Sequence, residues 1–381
     1  MLSLRPFQKE ALNALQMNSL NPAHVICISP TGSGKSLIYE KAALFSGTRI
    51  LLMTPLSALA RQQAKKLKAL NIPVTLSTGG ETAFPSKNSG VWILSPEKLK
   101  LNRVQSHLHS WKPHLLVVDE CHCLWEWGEK FRPAFQAIPQ LFQIFSIQKS
   151  LWLTATLPYL ARLKLKTHLP CPIIEIGEFK LPKAIHIFVY RIPFVLRTQW
   201  LLNWVCLQKK AGIIFTLTRT SAQRLARVFQ KTSKKIILYH AGMSQEERRN
   251  QEIQIQKQFP DVIIATSAFG MGMDYSYLNY VVLHQAPLSI LNLMQSIGRV
   301  GRNSAINAKA LVLWDRSDFQ SSEWMTKNSQ KSNDELVELL KFFETPHCRI
   351  QALSSYFNPK TPLPQCQQCD HCLISLKEVD S

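Results

Sequence analysis

The chain has 381 residues, of which 46% are hydrophobic, and a formal net charge of +20 at pH 7. This length allows two or three domains with substantial cores, and the composition excludes a low-complexity or disordered chain. No apolar run reaches the roughly 18 residues that a membrane-spanning helix needs, and the N-terminus lacks the charged-then-apolar order of a signal peptide, so we expect a soluble, intracellular protein.

The positive charge is spread along most of the chain. Residues 1–182 carry 21 Lys and Arg against 10 Asp and Glu, residues 183–334 carry 20 against 9, and residues 335–381 carry 4 against 6. A basic surface that runs across two folded segments is typical of proteins that bind polyanions such as nucleic acids. The alternative is an organism whose proteins are basic in general.

Short apolar runs alternate with amphipathic stretches over the first 180 residues. Uninterrupted apolar strands with helices between them predict a parallel sheet that is covered on both faces. The predicted strands are HVICIS (24–29), RILLMT (49–54), GVWILS (90–95), LLVV (115–118) and SLWLTA (150–155).

The same alternation restarts after FKLPKAIH (179–186), a basic joint that contains proline. A further stretch, DELVELLKFFE (334–344), is a predicted helix that leads into a cluster of cysteines. The pattern predicts two parallel α/β domains in tandem and then a tail, with ligands beyond the carboxyl ends of the strands. The second set of strands is GIIFTL (212–217), KIILYH (235–240), DVIIAT (261–266), YVVLHQ (280–285) and ALVLWD (310–315).

A glycine-rich loop, SPTGSGKS (29–36), follows the first predicted strand and opens a helix, SLIYEKAALF. Glycines let such a loop curl its N–H groups around a phosphate, the lysine reaches the β- and γ-phosphates, and the last hydroxyl binds Mg²⁺. Ser29 stands where the strict pattern has Gly, so the match is to the looser A-x-x-G-x-G-K-[ST] form. An ordinary glycine-rich turn is the alternative, and the flanking strand and helix favour a phosphate loop. The matching residues are Thr31, Gly32, Ser33, Gly34, Lys35 and Ser36.

Two adjacent carboxylates end another apolar strand, LLVVDE. Asp119 is expected to hold Mg²⁺, and Glu120 is expected to orient or deprotonate an attacking water. A carboxylate pair alone is weak evidence. Together with the phosphate loop upstream, the pair predicts hydrolysis of a nucleoside triphosphate.

The second α/β segment has no phosphate loop but contains QSIGRVGR (295–302). We expect Arg299 and Arg302 to share one helix face and to stabilise charge on a transferring phosphoryl group from a neighbouring domain. Basic helices that merely face solvent are the alternative. The first segment's loop and carboxylates favour the role at a nucleotide.

Ten segments in this order make the chain resemble a superfamily 2 helicase of the RecQ family over residues 4–372. The resemblance implies two tandem RecA-like domains, 1–181 and 182–331, and a small helical zinc-binding segment with four cysteines, 332–381. It also implies an ATP-dependent DNA helicase that moves 3′ to 5′ on single-stranded DNA in repair or recombination. The segments are LRPFQ, PTGSGKS, TPLSALARQQ, SPEKL, DECHCLWEWGEKFRP, LTATLP, IIFTLTR, HAGM, ATSAFGMGMD and QSIGRVGR.

The resemblance also implies roles at matching positions. Arg5 and Gln8 would recognise adenine, Thr154 and Thr156 would couple the ATP state to DNA contacts, and Gln295 would contact the γ-phosphate side of the cleft. The residues implied to lie along the DNA are Thr54, Ser57 and Arg61 in the first domain, and Arg219, His240, Thr266 and Gly270 in the second.

Four of the nine cysteines lie in the last 34 residues. Cys348, Cys366, Cys369 and Cys372 are separated by 17, 2 and 2 residues, an array that fits a closed tetrahedral Zn²⁺ site. The RecQ zinc module has the same arrangement, and we expect the metal to be structural because the segment lacks a core of its own. His347 or His371 replacing a cysteine is the alternative.

The stretch CHCLWEWGEKFRP (121–133) mixes aromatic, charged, Cys and His residues. Its spacing is poor for zinc, and core packing does not explain the interleaved charges. The resemblance implies a loop that senses single-stranded DNA, in which Trp127, Phe131 and Arg132 match the family. Aromatic side chains stack on unpaired bases at about 1–3 kcal/mol each. Glu129 stands where family members usually have His.

The chain departs from the family pattern in several places. An aromatic residue upstream of Arg5 is missing, and Asn303 and Tyr275 replace the family's Asp and Lys. The sequence ends nine residues after Cys372, so the family's winged-helix and C-terminal DNA-binding domains are expected to be absent.

Two alternative functions therefore stay open beside the helicase. One is a DNA-stimulated ATPase that translocates or remodels without unwinding, and the other is an ATP-gated DNA-binding adaptor. The expected cofactors are ATP, Mg²⁺ and Zn²⁺. The expected partner is single-stranded or 3′-tailed DNA, bound by a monomer in a bacterial cytoplasm or nucleoid, with another protein supplying duplex binding.

Overall fold

The structure is a computed structural model in which the chain forms two compact units, residues 1–180 and 181–381. It describes residues 3–55, 57–126, 134, 138, 141–180, 185–267, 269, 275, 277–301, 307–319, 333–360 and 363–373.

In the described part of the first unit, seven strands form one parallel sheet in the order β3-β4-β2-β5-β6-β1-β7. Strands β1, β4, β5 and β6 are buried at every position, as expected of strands covered on both faces. The strands are β1 Ala23–Ile28, β2 Arg49–Met53, β3 Val74–Ser77, β4 Gly90–Leu94, β5 Leu115–Asp119, β6 Lys149–Thr154 and β7 Ile173–Gly177.

Helices cover both faces of this sheet because each presents an apolar stripe to it. On one face, α1, α2 and α3 bury residues such as Leu15, Ile38 and Leu67. On the other face, α4, α6 and α7 pack around the buried Trp92 and Trp152. The helices are α1 Pro6–Leu15, α2 Ser36–Ala42, α3 Ser57–Ala69, α4 Asn102–Trp111, α5 Cys123–Glu126, α6 Leu141–Phe145 and α7 Tyr159–His168, with a 3₁₀ turn at Pro96–Lys100.

The second unit contains a six-stranded parallel sheet within its described residues, in the order β10-β11-β9-β12-β13-β8. The strands are β8 Ile185–Arg191, β9 Gly212–Phe215, β10 Ile236–Tyr239, β11 Val262–Ala265, β12 Tyr280–Leu283 and β13 Ala308–Trp314. The helices around the sheet are α8 Phe194–Cys206, α9 Arg219–Phe229, α10 Gln245–Gln258 and α11 Ile290–Ile297.

Two further helices, α12 Asn333–Glu344 and α13 Arg349–Phe357, lead into the cysteine cluster. They are joined to the sheet through aromatic packing, because the Phe343 ring stacks on Trp314 at the end of β13 with centroids 5.0 Å apart. Leu353 and Phe357 of α13 are buried as well. The segment therefore uses the second unit's core as part of its own.

The prediction of two parallel α/β folds is confirmed, and each predicted strand is present with ends that differ by one or two residues. The sequence-based prediction did not include β3, β7 and β8. β3 and β7 are partly exposed edge strands, so their apolar runs are short. β8 begins at Ile185, inside the segment assigned to the joint. No helix in the described ranges combines the length and the apolarity needed to cross a membrane.

Candidate functional site

The glycine-rich loop has the conformation that phosphate binding requires. Gly32 and Gly34 have φ values of +76° and +82°, in the left-handed region that favours glycine. The Lys35 Nζ atom donates hydrogen bonds to the carbonyl oxygens of Ser29 at 2.7 Å and Pro30 at 3.1 Å. The ammonium group is thus held over the loop, where a phosphate would compete for its N–H groups.

Gln8 fixes this loop from α1. Its side chain is buried, its Nε2 donates to the carbonyl oxygen of Gly34 at 2.8 Å, and its Oε1 accepts from the Arg5 backbone N–H at 2.8 Å. A Cβ added at Gly34 would lie 2.9 Å from that Nε2 atom. The structure therefore brings Gln8 to the phosphate loop and Arg5 to Gln8, while their recognition of adenine stays a prediction.

Asp119 ends β5 as a buried carboxylate whose two oxygens both accept hydrogen bonds. Oδ1 accepts from the backbone N–H of Glu120 at 3.0 Å, and Oδ2 accepts from Nε2 of Gln63 at 2.5 Å. Burial and the neighbouring Glu120 raise the pKa of Asp119 to about 7, against the opposing effect of Lys35 and the two hydrogen bonds. A divalent cation would favour the ionised carboxylate.

Glu120 has a φ of +51°, a left-handed conformation that costs a residue with a side chain roughly 1 kcal/mol. This turn brings Glu120 back over the strand end, and its Oε2 lies 3.3 Å from Nδ1 of His122. The same Nδ1 lies 3.0 Å from Oγ1 of Thr154. The carboxylate pair is thus joined to the end of the neighbouring strand β6.

Thr154 connects this network to the phosphate loop. Its hydroxyl donates to the carbonyl oxygen of Thr156 at 2.9 Å, and its own carbonyl oxygen accepts from the Ser29 N–H at 3.1 Å. Strands β5, β6 and β1 are neighbours in the sheet, so their carboxyl ends meet at one edge. The structure brings the loop, the carboxylates and the two threonines into one site.

The residues at this edge fit a nucleotide with Mg²⁺. The loop supplies a lysine and glycine-linked N–H groups for phosphates, while Ser36 begins α2 and Asp119 offers a buried carboxylate. The Oε1 atom of Gln63 is buried, and among the described residues it has no hydrogen-bond partner. Sequence reasoning missed Gln63. The available signal was a glutamine in the apolar stripe of a predicted amphipathic helix.

The residues implied to contact DNA in the first unit lie beside this edge. Thr54 follows β2 and is buried, Ser57 begins α3, and Arg61 is exposed on the same helix. Arg61 is therefore accessible to a phosphate backbone. Trp127, Phe131 and Arg132 lie outside the residues that the structure describes.

In the second unit, Arg219, His240 and Thr266 lie just beyond the carboxyl ends of β9, β10 and β11, which are neighbouring strands. Arg219 packs against Gly242, where an added Cβ would lie 2.8 Å from its Nη1 atom. The Nε2 atom of His240 lies 3.2 Å from Nε2 of Gln223 on α9. The structure therefore groups these three predicted contacts on one edge. Gly270 lies outside the described residues.

Gln295 lies on α11, which begins with the Ser289 hydroxyl accepting from the Asn292 N–H at 3.0 Å. The helix ends at Ile297, so Arg299 lies in the turn after it. The prediction that Arg299 lies on a helix face was wrong, because Gly298 ends the helix. Arg302 lies outside the described residues.

The four C-terminal cysteines form a metal-binding geometry. The sulfur atoms of Cys348, Cys366, Cys369 and Cys372 all lie within 4.8 Å of one another, and those of Cys366 and Cys372 are 3.9 Å apart. A tetrahedral zinc site with Zn–S bonds of about 2.3 Å has sulfur atoms about 3.8 Å apart. Backbone N–H groups also point at the sulfur atoms, so thiolates are stabilised there.

The positions of the four sulfur atoms favour the cysteines as the metal ligands, both over the two histidines and over the CHC stretch. Among the residues that the structure describes, it is the one group of three or more His, Cys, Asp and Glu side chains close enough to share an ion, and it includes neither His347 nor His371. The cysteines of the CHC stretch are buried in the first unit, and His122 is engaged by Glu120 and Thr154.

An ion pair beside the cysteines ties the cluster to the sheet of the second unit. The Arg349 guanidinium donates to both Asp370 oxygens, at 3.1 Å from Nε and 3.2 Å from Nη2, and to the Phe342 carbonyl oxygen at 2.7 Å. Asp370 Oδ2 also accepts from the backbone N–H of Val189 in the edge strand β8 at 3.1 Å. Sequence reasoning missed this pair, although both residues directly follow a ligand cysteine.

Comparison with protein families covers most of the chain. The model of the DEAD/DEAH box helicases matches residues 5–163, that of the helicase conserved C-terminal domain matches residues 198–304, and that of RecQ zinc-binding matches residues 316–373. The third match coincides with the four cysteines. The chain is similar to proteins of the RecQ family.

Curated relatives named RecQ are similar to this chain along nearly its whole length. The ATP-dependent DNA helicases RecQ of Pasteurella multocida and Haemophilus influenzae are each 29% identical over 99% of this chain, which covers 61% and 62% of their lengths. The RecQ protein of Bacillus subtilis is 26% identical over 97% of this chain and is covered over 64% of its own length. The chain thus spans less than two thirds of the length of these RecQ relatives.

Solved structures share the fold of this chain. Saccharomyces cerevisiae Dbp5 bound to RNA and ADP BeF3 aligns with a TM-score of 0.64 at 18% identity, covering 85% of this chain and 91% of Dbp5. Mycobacterium smegmatis helicase Lhr bound to ssDNA and AMP-PNP aligns with a TM-score of 0.62 at 19% identity, covering 93% and 51%. The likeness supports the fold class of two RecA-like α/β domains.

Proposed function

We propose that this chain is an ATP-dependent DNA helicase of the RecQ type that translocates 3′ to 5′ on single-stranded DNA in repair or recombination. The observation that carries the proposal is the site in the first unit, where Lys35 on the phosphate loop, Asp119 and Glu120 share one sheet edge. The RecQ relatives supply the substrate class, and the net charge of +20 fits a polyanionic partner.

The chain's own groups would hold the nucleotide at this edge. Lys35 and the loop N–H groups would bind the β- and γ-phosphates, and Ser36 and Asp119 would hold Mg²⁺. Bound Mg²⁺ neutralises charge on the phosphates. Gln8, which holds the Gly34 carbonyl oxygen, would keep the loop in its binding conformation whether or not it also contacts adenine.

Glu120 is the base in this proposal. Its carboxylate would accept the proton of the attacking water at an Oε atom, while His122 holds the other side of the group. Through His122 and Thr154, a change at Glu120 reaches the end of β6 and the Thr156 backbone. This path gives the implied role of the two threonines a physical basis.

The remaining assignments are proposals of the same kind. Gln295, Arg299 and Arg302 would act on the phosphates from the second unit. The first unit would contact DNA through Ser57, Arg61, Trp127, Phe131 and Arg132, and the second through Arg219, His240 and Thr266. The cysteine cluster would hold Zn²⁺ as a structural metal.

The test measures ATP hydrolysis with and without single-stranded DNA, together with unwinding of a 3′-tailed duplex. We expect DNA-stimulated hydrolysis and unwinding, and their loss in Lys35→Ala because the phosphate clamp is removed. Lys9→Ala, an exposed lysine on α1, is the matched control and should retain both activities. Unstimulated or absent hydrolysis in the wild type would refute the proposal, whereas hydrolysis without unwinding would select a translocating ATPase.

A further inference from the structure

Gln63 is a polar side chain in the apolar stripe of α3. The helix buries Ala60, Ala64 and Leu67 against the sheet, and Gln63 shares that stripe with only 5% of its surface exposed. Burying a carboxamide is unfavourable unless its polar atoms are used. We therefore expect the Gln63 carboxamide to have a specific hydrogen-bond partner.

The partner is the candidate magnesium ligand. Nε2 of Gln63 donates to Oδ2 of Asp119 at 2.5 Å, and the backbone N–H of Glu120 holds Oδ1 at 3.0 Å. Two donors from different elements thus fix the plane of the carboxylate. Gln63 Oε1 adds a buried acceptor that is unpaired within the described part of the chain, and the waters that Mg²⁺ retains need such acceptors.

The same helix carries two residues proposed to contact DNA. Ser57 begins α3, and Arg61 lies two residues before Gln63 on the exposed face. Helix α3 therefore has a basic, accessible side and a buried side that contacts Asp119. Because a helix moves as a rigid element over two turns, a shift of the exposed face that carries Arg61 also displaces the Gln63 carboxamide on the buried face.

We propose that Gln63 is a positioning residue that sets the Asp119 carboxylate for Mg²⁺ and makes Mg²⁺-dependent nucleotide binding respond to DNA held on α3. This inference rests on the proposed function of the same site. Removing a hydrogen-bond partner of a metal ligand typically weakens metal binding about 10–100-fold.

The experiment titrates Mg²⁺ against the full chain and a fluorescent ADP analogue. In Gln63→Met, which keeps the length of the side chain but has no N–H donor, the half-saturating Mg²⁺ concentration should rise at least about tenfold. Binding measured in EDTA should be unchanged, because the phosphate loop is intact. Gln62→Met, on the exposed face one residue away, is the matched control and should behave as the wild type.

Gln63→Leu repeats the titration with a different apolar shape, and circular dichroism checks the folding of every variant. An unchanged Mg²⁺ requirement in the folded Gln63 variants would overturn the positioning role. Equal weakening of binding in EDTA and in Mg²⁺ would also overturn it, because that result indicates a general packing defect.

A second titration adds saturating oligothymidylate to test the coupling. DNA should lower the half-saturating Mg²⁺ concentration of the wild type and of Gln62→Met, and should have no effect on Gln63→Met, since linkage between the two ligands is lost. A full DNA effect in Gln63→Met, or none in the wild type, would overturn the coupling. Absence of ATP hydrolysis in the wild type would count against the proposed function alone, because these titrations measure binding.

Discussion

Replacing Asp318 tests a buried ion pair that holds the second unit together. Asp318 Oδ1 accepts from Nη1 of Arg197 at 2.9 Å, and the two side chains are 3% and 0% exposed. Asp318 Oδ2 also accepts from the backbone N–H groups of Ala286 at 3.2 Å and Asp315 at 3.1 Å. One carboxylate therefore connects α8, the end of β13 and the segment that leads to α11.

Asp318→Ala should lower the free energy of unfolding by about 3–5 kcal/mol, because it leaves the Arg197 charge buried without its counterion. The buried Ala286 N–H and the partly buried Asp315 N–H lose their acceptor at the same time, which favours the upper part of that range. The assay is urea unfolding followed by far-UV circular dichroism. The matched control is Glu338→Ala, which breaks an exposed ion pair with Lys341 and should cost less than about 1 kcal/mol.

A double variant, Arg197→Met with Asp318→Leu, separates the charge effect from packing. Removing both charges should restore much of the lost stability, because a well-packed apolar pair often replaces a buried ion pair without loss. The reasoning is refuted if Asp318→Ala costs no more than Glu338→Ala. It is also refuted if the double variant is less stable than Asp318→Ala.

Three further outcomes are expected. Trp127→Ala should leave basal ATP hydrolysis nearly intact but reduce its stimulation by single-stranded DNA; equal loss of both rates would indicate a packing role. Cys366→Ala should release zinc and lower the melting temperature, since four thiolates are needed to close the site. A colorimetric chelator measures the released zinc. Cys206→Ala, at an exposed cysteine, is the control and should change neither quantity. Burial and Lys149 lower the pKa of His24 to about 4, below its ordinary 6.5. Since the unfolded chain then binds a proton more readily than the folded one, the free energy of unfolding should fall by up to about 3 kcal/mol as the pH drops from 6.5 towards 4. Above pH 6.5 this group should not change the free energy of unfolding. Urea unfolding at pH 7 and pH 5 measures this loss, and His24→Phe should reduce the difference; a wild type equally stable at both values would contradict it.

Much of the fold was predictable because its strands are buried on both faces. Such strands are uninterrupted apolar runs, and β1, β4, β5 and β6 were all found from that pattern. The edge strands β3 and β7 were not predicted, because partly exposed strands lack a long apolar run. The end of α11 was not predicted either. A glycine can continue or end a helix, and only the structure showed that the helix ends before Gly298.

Some residues of the candidate site could also be predicted from the sequence, and others could not. The residues proposed to touch a phosphate or a metal belong to compact motifs, so Lys35, Asp119 and Cys348 could be identified from spacing. Residues that act by holding those groups have no motif of their own. Gln63 could not be identified because its partner Asp119 is 56 residues away, and Asp370 because its partners Arg349 and Val189 are 21 and 181 residues away.

The amino-acid sequence determined the two-fold repetition of the α/β pattern, the glycine-rich loop, the carboxylate pair and the cluster of four cysteines, since each depends on residues close together in the chain. Only the tertiary structure decided that Gln63 meets Asp119, that Thr154 joins His122 to the phosphate loop, and that Asp370 binds the edge of the second sheet. These contacts depend on strand order and on helix docking. Both are set by the packing of whole elements, which no local pattern encodes.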